Sequence, residues 1–100
     1  MDKPYYAVIF TSTRKDGNHD YMAMAQFMEK LAKEQPGYLG IESARETIGI
    51  TVSYWESLEA IAAWKQNAEH LVAQKRGIRE WYKDYTVRIC LVEREYSWSD

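Results

Sequence analysis

The fold is decided by residues 40–54, GIESARETIGITVSY, and by the two segments WESLEAIAAWKQNAEH (residues 55–70) and WYKDYTVRICLVEREY (residues 81–96). The first stretch contains two runs of alternating side chains, within residues 38–46 and 48–55, with little more than Thr47 between them. So short a connection predicts an antiparallel β-hairpin. The second segment has the apolar spacing of an amphipathic helix, and the third alternates as a long strand does.

The elements before the hairpin are a strand and a helix. Residues 5–13, YYAVIFTST, are rich in β-forming residues and are followed by a polar loop at residues 14–19. Asp20 can cap the next helix, and Pro36-Gly37 ends it. Its predicted inner face carries apolar residues at helical spacing, namely Tyr21, Met24, Phe27, Met28 and Leu31.

The elements after the hairpin are a helix and a strand. Ser57 is a suitable N-cap for the second helix, and Gly77 is a plausible stop or kink. The helix has an apolar stripe of Leu58, Ile61, Ala62, Trp64 or Lys65, Ala68, Leu71 and Val72. We predict a short helical turn at residues 78–83, a last strand at residues 85–96 and a frayed tail.

The order β-α-β-β-α-β predicts a single α+β domain over residues 1–100, a ferredoxin-like sandwich with both helices on one face of a four-stranded antiparallel sheet. The other face of the sheet would carry apolar and aromatic side chains, which need a cover. A second copy of the chain is the expected cover, giving a dimeric α+β barrel.

Composition excludes several classes of protein. The net charge is −2 and no basic stripe is present, so the sequence gives little support to nucleic-acid binding. It contains no run of apolar residues long enough to span a membrane and no signal-peptide h-region, so we expect a cytoplasmic protein without a membrane partner. Cys90 is the only cysteine, which excludes an intrachain disulfide and is best read as a buried, inert thiol.

The GIESARE–GITVSYWESLEAIAAWKQNAEH block and the closing WYKDYTVRICLVEREY resemble the antibiotic biosynthesis monooxygenase domain of the dimeric α+β barrel superfamily. The resemblance covers nearly the whole chain. It implies a homodimer and a small-molecule pocket between helices and sheet. The family includes cofactor-free oxygenases of polycyclic quinol-type substrates, quinol oxygenases, haem-degrading enzymes and members without known activity, so the fold alone does not give the reaction.

The resemblance places a tryptophan on the second helix, lining the pocket, and Trp64 matches it. An indole there can stack on a flat substrate, or it can simply anchor the helix on the sheet. Asn67 and His70 follow on neighbouring positions of the helix. The imidazole of His70 could remove a phenolic proton, or it could lie in solvent on a charged helix surface.

Further candidates for substrate contact are Arg45, Trp55, Trp81 and Tyr82. Arg45 could hold a substrate anion, although a strand arginine more often pairs with a glutamate across the sheet. Trp81 and Tyr82 could close the pocket or pack over the core, and Trp55 has the same two interpretations.

Haem degradation is disfavoured. The haem-degrading branch has a histidine about ten residues after the helix tryptophan and an asparagine on the first strand. Here Gln74 stands at the first position, and YYAVIFTST has no asparagine. His19, in a polar loop, is expected to be solvated, and the sequence has neither a metal-ligand cluster nor a nucleotide fingerprint.

The sequence therefore predicts a monooxygenase that needs no cofactor and acts on an aromatic or quinol-type molecule. The alternative is a non-catalytic homodimer of the same fold that binds a small molecule or serves a structural role.

Overall fold

The computed structural model describes residues 4–15, 21–74 and 81–100, without the side chains of residue 21 and residues 69–74. The elements in chain order are β1 (Tyr5–Arg14), α1 (Tyr21–Lys33), β2 (Tyr38–Arg45), β3 (Gly49–Trp55), α2 (Leu58–Gln74) and β4 (Tyr82–Val92). This is the predicted β-α-β-β-α-β order, and it confirms the ferredoxin-like fold. The predicted caps at Asp20 and Gly77 lie outside the described residues.

The four strands form one antiparallel sheet in the order β2-β3-β1-β4. Tyr6 lies opposite Trp55 on one side and Leu91 on the other, and Ser12 lies opposite Gly49 and Tyr85. Because directly opposed residues share a face, these pairs define the side of the sheet that the helices cover. We call it the helix side, and the opposite side the far side.

The core joins both helices to the helix side of the sheet. Trp55 is completely buried and packs with Ala32 of α1 and Ile61 of α2. Tyr6 and Val8 of β1 border this cluster. Both helices therefore pack on the same face, as the element order predicts.

Two short features position the helices. The Ser57 hydroxyl accepts a hydrogen bond from the Ala60 N–H at 3.1 Å, which confirms the predicted N-cap of α2. Gly37 has a φ of 84°, and a Cβ at this position would lie 2.6 Å from the Ala60 Cβ. Its carbonyl accepts the Glu56 N–H at 2.8 Å, so the turn after α1 is fixed against the start of α2.

The apolar faces of the helices differ in part from the prediction. Phe27 is 57% exposed and Leu58 is 51% exposed, whereas Ala32 and Ile61 are buried. With 100° per residue, Phe27 points about 140° away from Ala32 around α1, and Leu58 about 60° away from Ile61 around α2. The apolar stripe of each helix is therefore wider than the part of the helix surface that the sheet covers.

The last strand starts and ends earlier than predicted. Tyr82 pairs with Arg14 through an irregularity after Thr13, so residues 82–83 belong to β4 and not to a helical turn. Residues 78–80 of that predicted turn lie outside the described residues. At the other end Val92 pairs with Tyr5, the first residue of β1, and within the described residues the chain beyond Val92 pairs with no strand.

Candidate functional site

Trp55 is a completely buried aromatic residue on the helix side. Its indole N–H donates to the Ser53 Oγ at 2.9 Å, and Ser53 is itself buried. The Tyr38 ring packs edge-on against it at 5.7 Å. Its polar tip is satisfied and none of its surface is exposed, so in this structure Trp55 supports neighbouring rings and offers no contact to a ligand.

Trp64 lies on the solvent side of Trp55. The two rings are stacked, with centroids 5.9 Å apart and planes inclined by 20°. Trp64 is partly exposed, unlike Trp55. The stack anchors α2 on the sheet and holds the Trp64 ring in a defined orientation. Trp64 can therefore anchor α2 and also offer the exposed part of its ring to a ligand.

Asn67 lies one turn further along α2 and is exposed. Its amide N–H donates to the Gln35 Oε1 at 2.9 Å, which links α2 to the segment after α1. His70 belongs to the same helix, and its side chain lies outside the described residues.

Arg45, Trp81 and Tyr82 lie at the opposite end of the sheet. The Arg45 guanidinium donates to the buried Ser12 hydroxyl. Trp81 is only 4% exposed, and its carbonyl accepts the Lys15 N–H at 2.8 Å. The Tyr82 ring packs edge-on against Phe10, with centroids 5.4 Å apart.

The register separates these two groups of residues. Trp55 lies opposite Tyr6, and Gly49, the partner of Arg45, lies opposite Ser12. Six residues of strand between Tyr6 and Ser12 span about 20 Å at roughly 3.3 Å per residue. A three-ring aromatic molecule is shorter than this, so Trp64 and Arg45 contact one bound ligand together only if that ligand extends beyond three fused rings.

An apolar row on β4, which the sequence analysis did not assign to a site, connects the two ends. Four large side chains face the helix side and are about half exposed: Tyr85 46%, Val87 47%, Ile89 51% and Leu91 50%. We call these four residues the β4 row. Strict alternation in the sequence identifies one face of the strand, but whether a helix covers that face depends on the packing of the domain.

The helices leave the β4 row open because they pack over the other edge of the sheet. The main helix–sheet contacts of the described residues join α1 to β2 and α2 to β3. Phe10 of β1 borders the row and stacks on Tyr85, with centroids 5.5 Å apart and planes inclined by 20°. The result is an apolar floor about 20 Å long beside the helices.

Two tyrosines on the far side have a raised pKa. The pKa of Tyr5 is raised, first because its hydroxyl donates to the Glu95 carboxylate at 2.9 Å. The pKa of Tyr54 is raised by partial burial and then by the Glu42 carboxylate. Both phenols therefore act as hydrogen-bond donors at neutral pH, and neither is on the helix side.

Neither a metal-ligand cluster nor a membrane-spanning helix occurs in the described part of the chain. No group of three or more His, Cys, Asp or Glu side chains converges within residues 4–15, 21–68 and 81–100. None of the described helices is long and apolar enough to cross a bilayer. Cys90 is a free, partly buried thiol on the far side of β4.

Comparison with known proteins identifies relatives over almost the whole chain. Residues 4–76 match the family model for antibiotic biosynthesis monooxygenase. The chain is 46% identical over 96 residues to the uncharacterized protein YqjZ of Bacillus subtilis, a match covering 94% of this chain and 84% of that protein.

Solved structures share the fold at low sequence identity. The cofactor-independent oxygenase SnoaB of Streptomyces nogalater superposes with a TM-score of 0.70 at 11% identity, covering 98% of this chain and 100% of that one. PA3566 of Pseudomonas aeruginosa superposes with a TM-score of 0.70 at 17% identity, covering 96% and 99% of the two chains.

Proposed function

Because the chain belongs to the antibiotic biosynthesis monooxygenase family, we propose that it is a cofactor-independent monooxygenase of an aromatic or quinol-type small molecule. The observation that carries the proposal is the open β4 row, an apolar floor beside the helix that holds Trp64. Such a floor suits a flat apolar molecule. SnoaB, which has the same fold, is described as a cofactor-independent oxygenase, and this supports the proposed reaction class.

The substrate supplies the electrons in this reaction. A base removes a proton from the phenol or from the activated ring carbon, and the electron-rich anion reacts with dioxygen. One oxygen atom enters the product as a carbonyl, replacing two hydrogen atoms of a ring methylene, and the other oxygen leaves as water. The substrate is oxidised and dioxygen is reduced, so no separate reductant is needed.

We assign the candidate residues the following roles in this proposal. Trp64 stacks on the substrate ring, and Trp55 supports it from behind. His70 is the proposed base, because an imidazole titrates near neutral pH, and Asn67 is a polar contact on the same helix. Trp81, Tyr82 and Arg45 are assigned to the distal end of the floor, where they would contact a remote part of the substrate: Trp81 and Tyr82 enclose it and Arg45 holds an anionic group.

The test is oxygen uptake with purified protein, a panel of anthrone and hydroquinone substrates and no added cofactor. We expect protein-dependent uptake that falls about 10²–10⁴-fold in His70→Ala, the usual contribution of a general base. The matched control is His19→Ala, which removes the other histidine and should retain activity. Uptake that is absent across the panel, or equal in both histidine variants, contradicts the proposal.

The second candidate function is a non-catalytic binding or structural dimer. The observation that favours it is the Trp55–Trp64 stack, because an aromatic pair that anchors a helix needs no ligand to explain it. Quenching of tryptophan fluorescence by the same panel without oxygen uptake would support binding alone.

We further propose that the chain is a homodimer that joins through its far side. The accessible surface is 7691 Å², whereas a compact monomer of this mass exposes roughly 5,900 Å². The excess, roughly 1,800 Å² on one chain, is more than the roughly 800 Å² that each partner buries in a standard interface. The far side carries Tyr5, Ala7, Ile9, Ile50, Val52, Tyr54, Cys90 and Val92.

Sedimentation velocity at micromolar concentration tests the dimer. We expect a species of about twice 11.8 kDa for the wild type and a shift toward monomer in Ile50→Glu, because this residue is 45% exposed on the far side. Ile48→Glu is the control, since Ile48 is 56% exposed in the connection between β2 and β3. A wild-type monomer contradicts the model of packed sheets.

A further inference from the structure

A basic depression lies at the end of the sheet away from Trp55. Its volume is about 760 Å³, in the range of small-molecule sites. Three parts of the chain meet there: the end of β1, the connection between β2 and β3, and the start of β4. The lining residues are Thr13, Arg14, Lys15, Arg45, Glu46, Thr47 and Lys83.

The charge of this depression is opposite to that of the whole chain. Among the described residues that line it, four side chains are cationic and one, Glu46, is anionic, whereas the chain has a net charge of −2. A further carboxylate, that of Asp84, accepts a hydrogen bond from the Thr13 hydroxyl at 2.9 Å. Gathering like charges costs free energy, and a bound anion offsets that cost.

Two of the cations are available to a ligand. In the described part of the chain, the ammonium groups of Lys15 and Lys83 make no salt bridge or hydrogen bond, and both residues are exposed. Their backbone is nevertheless held in place, because the Lys15 N–H donates to the Trp81 carbonyl and Lys83 lies within β4. The ammonium groups can therefore move to a ligand while their attachment points stay fixed.

Arg45 supplies a preorganised cation beside them. Its guanidinium donates to the buried Ser12 hydroxyl and lies over Gly49, where an added Cβ would overlap it. A planar guanidinium held in this way loses little side-chain entropy when it binds an oxyanion, and the guanidinium fork matches the spacing of carboxylate or phosphate oxygens.

We propose that this depression binds the oxyanion group of a small molecule, a carboxylate or a phosphate, through Arg45, Lys15 and Lys83. Thr47 and Thr13 also line the depression. The site is about 20 Å from Trp64 along the sheet. For Arg45 the inference rests on the anion-holding role given under the proposed function, and it adds Lys15 and Lys83 to that role; the titration below measures anion binding without any oxygen chemistry. The volume and the three-sided lining fit a single small molecule.

The test is an NMR titration of the isotopically labelled protein, following the backbone amides at constant ionic strength. The probes are sodium phosphate and sodium 2-naphthoate, with neutral 2-naphthamide for comparison. We expect saturable shifts at residues 13–15, 45–47 and 83 with at least one anion in the millimolar range or below. The neutral amide should leave these amides unchanged.

The decisive variant is Lys15→Gln/Lys83→Gln, which should weaken anion binding by about tenfold. The control Lys30→Gln/Arg94→Gln removes the same two charges from exposed positions elsewhere and should bind as the wild type does. Equal response to both anions indicates recognition of the oxyanion alone, and response to 2-naphthoate only indicates an aromatic carboxylate. Absence of saturable shifts with either anion, or equal weakening in both double variants, overturns the proposal.

Discussion

The Trp55–Trp64 stack makes Trp64→Ala the most informative single substitution. Truncating a fully buried tryptophan costs about 3–5 kcal/mol. Trp64 is only partly buried, so the lost packing is smaller, but an aromatic pair contributes roughly a further 0.5–1.5 kcal/mol beyond burial. We therefore expect Trp64→Ala to lower the free energy of unfolding by about 2–3 kcal/mol.

The assay is urea unfolding followed by far-UV circular dichroism at fixed protein concentration, because self-association would make stability depend on concentration. The matched control is Trp98→Ala, since Trp98 is 85% exposed in the C-terminal tail. Surface substitutions usually change stability by less than about 0.5 kcal/mol. Trp64→Phe, which keeps a ring on Trp55, should recover more than half of the loss.

Equal stability of Trp64→Ala and Trp98→Ala would refute this reasoning. It would mean that the stack does not anchor α2, and that the orientation of Trp64 assumed for ligand binding is not fixed by Trp55.

Three further predictions concern the turn, the cap and the far side. Gly37→Ala should destabilise the fold by at least about 2 kcal/mol in the same urea assay, because the residue has positive φ and the new Cβ would meet Ala60. A smaller loss would show that the turn relaxes freely. Ser57→Ala should cost about 1 kcal/mol through loss of the N-cap, and no change would contradict that role. The raised pKa of Tyr54, caused by burial and Glu42, stabilises the fold fully below about pH 10, the unfolded value, and this contribution is lost as pH rises through the folded pKa. The melting temperature of wild type relative to Tyr54→Phe should therefore fall above about pH 10, and a pH-independent difference would contradict the shift.

The element order was predictable because each element carries its own local signal. The hairpin around Thr47 has too short a connection for any parallel arrangement, and Ser57 precedes an apolar helix at the spacing of a cap. The ends of β4 were not predictable, because they are set by the partner strand. Asp84 lacks β-forming character, yet it pairs with Thr13, and Tyr82 pairs with Arg14 because β1 extends that far. Pairing stops at Val92 because β1 begins at Tyr5.

The candidate site was only partly predictable. The sequence identifies Trp64 and Arg45 as unusual residues, but their separation follows from the register of three strands. The sequence does not distinguish Trp55 from Trp64. Only the packing shows that Trp55 is fully buried and that Trp64 is partly exposed. The β4 row and the basic depression arise where separate elements meet, so no local pattern marks them.

The most direct test of the central claim is to follow the source of the oxygen in the product. The protein and an anthrone-type substrate are incubated under heavy-isotope dioxygen in ordinary water, and the product is analysed promptly by mass spectrometry. A cofactor-independent monooxygenase predicts a quinone carrying one heavy oxygen atom, with formation reduced in His70→Ala and retained in His19→Ala. A product whose new oxygen derives from water, or no protein-dependent product, would contradict the account.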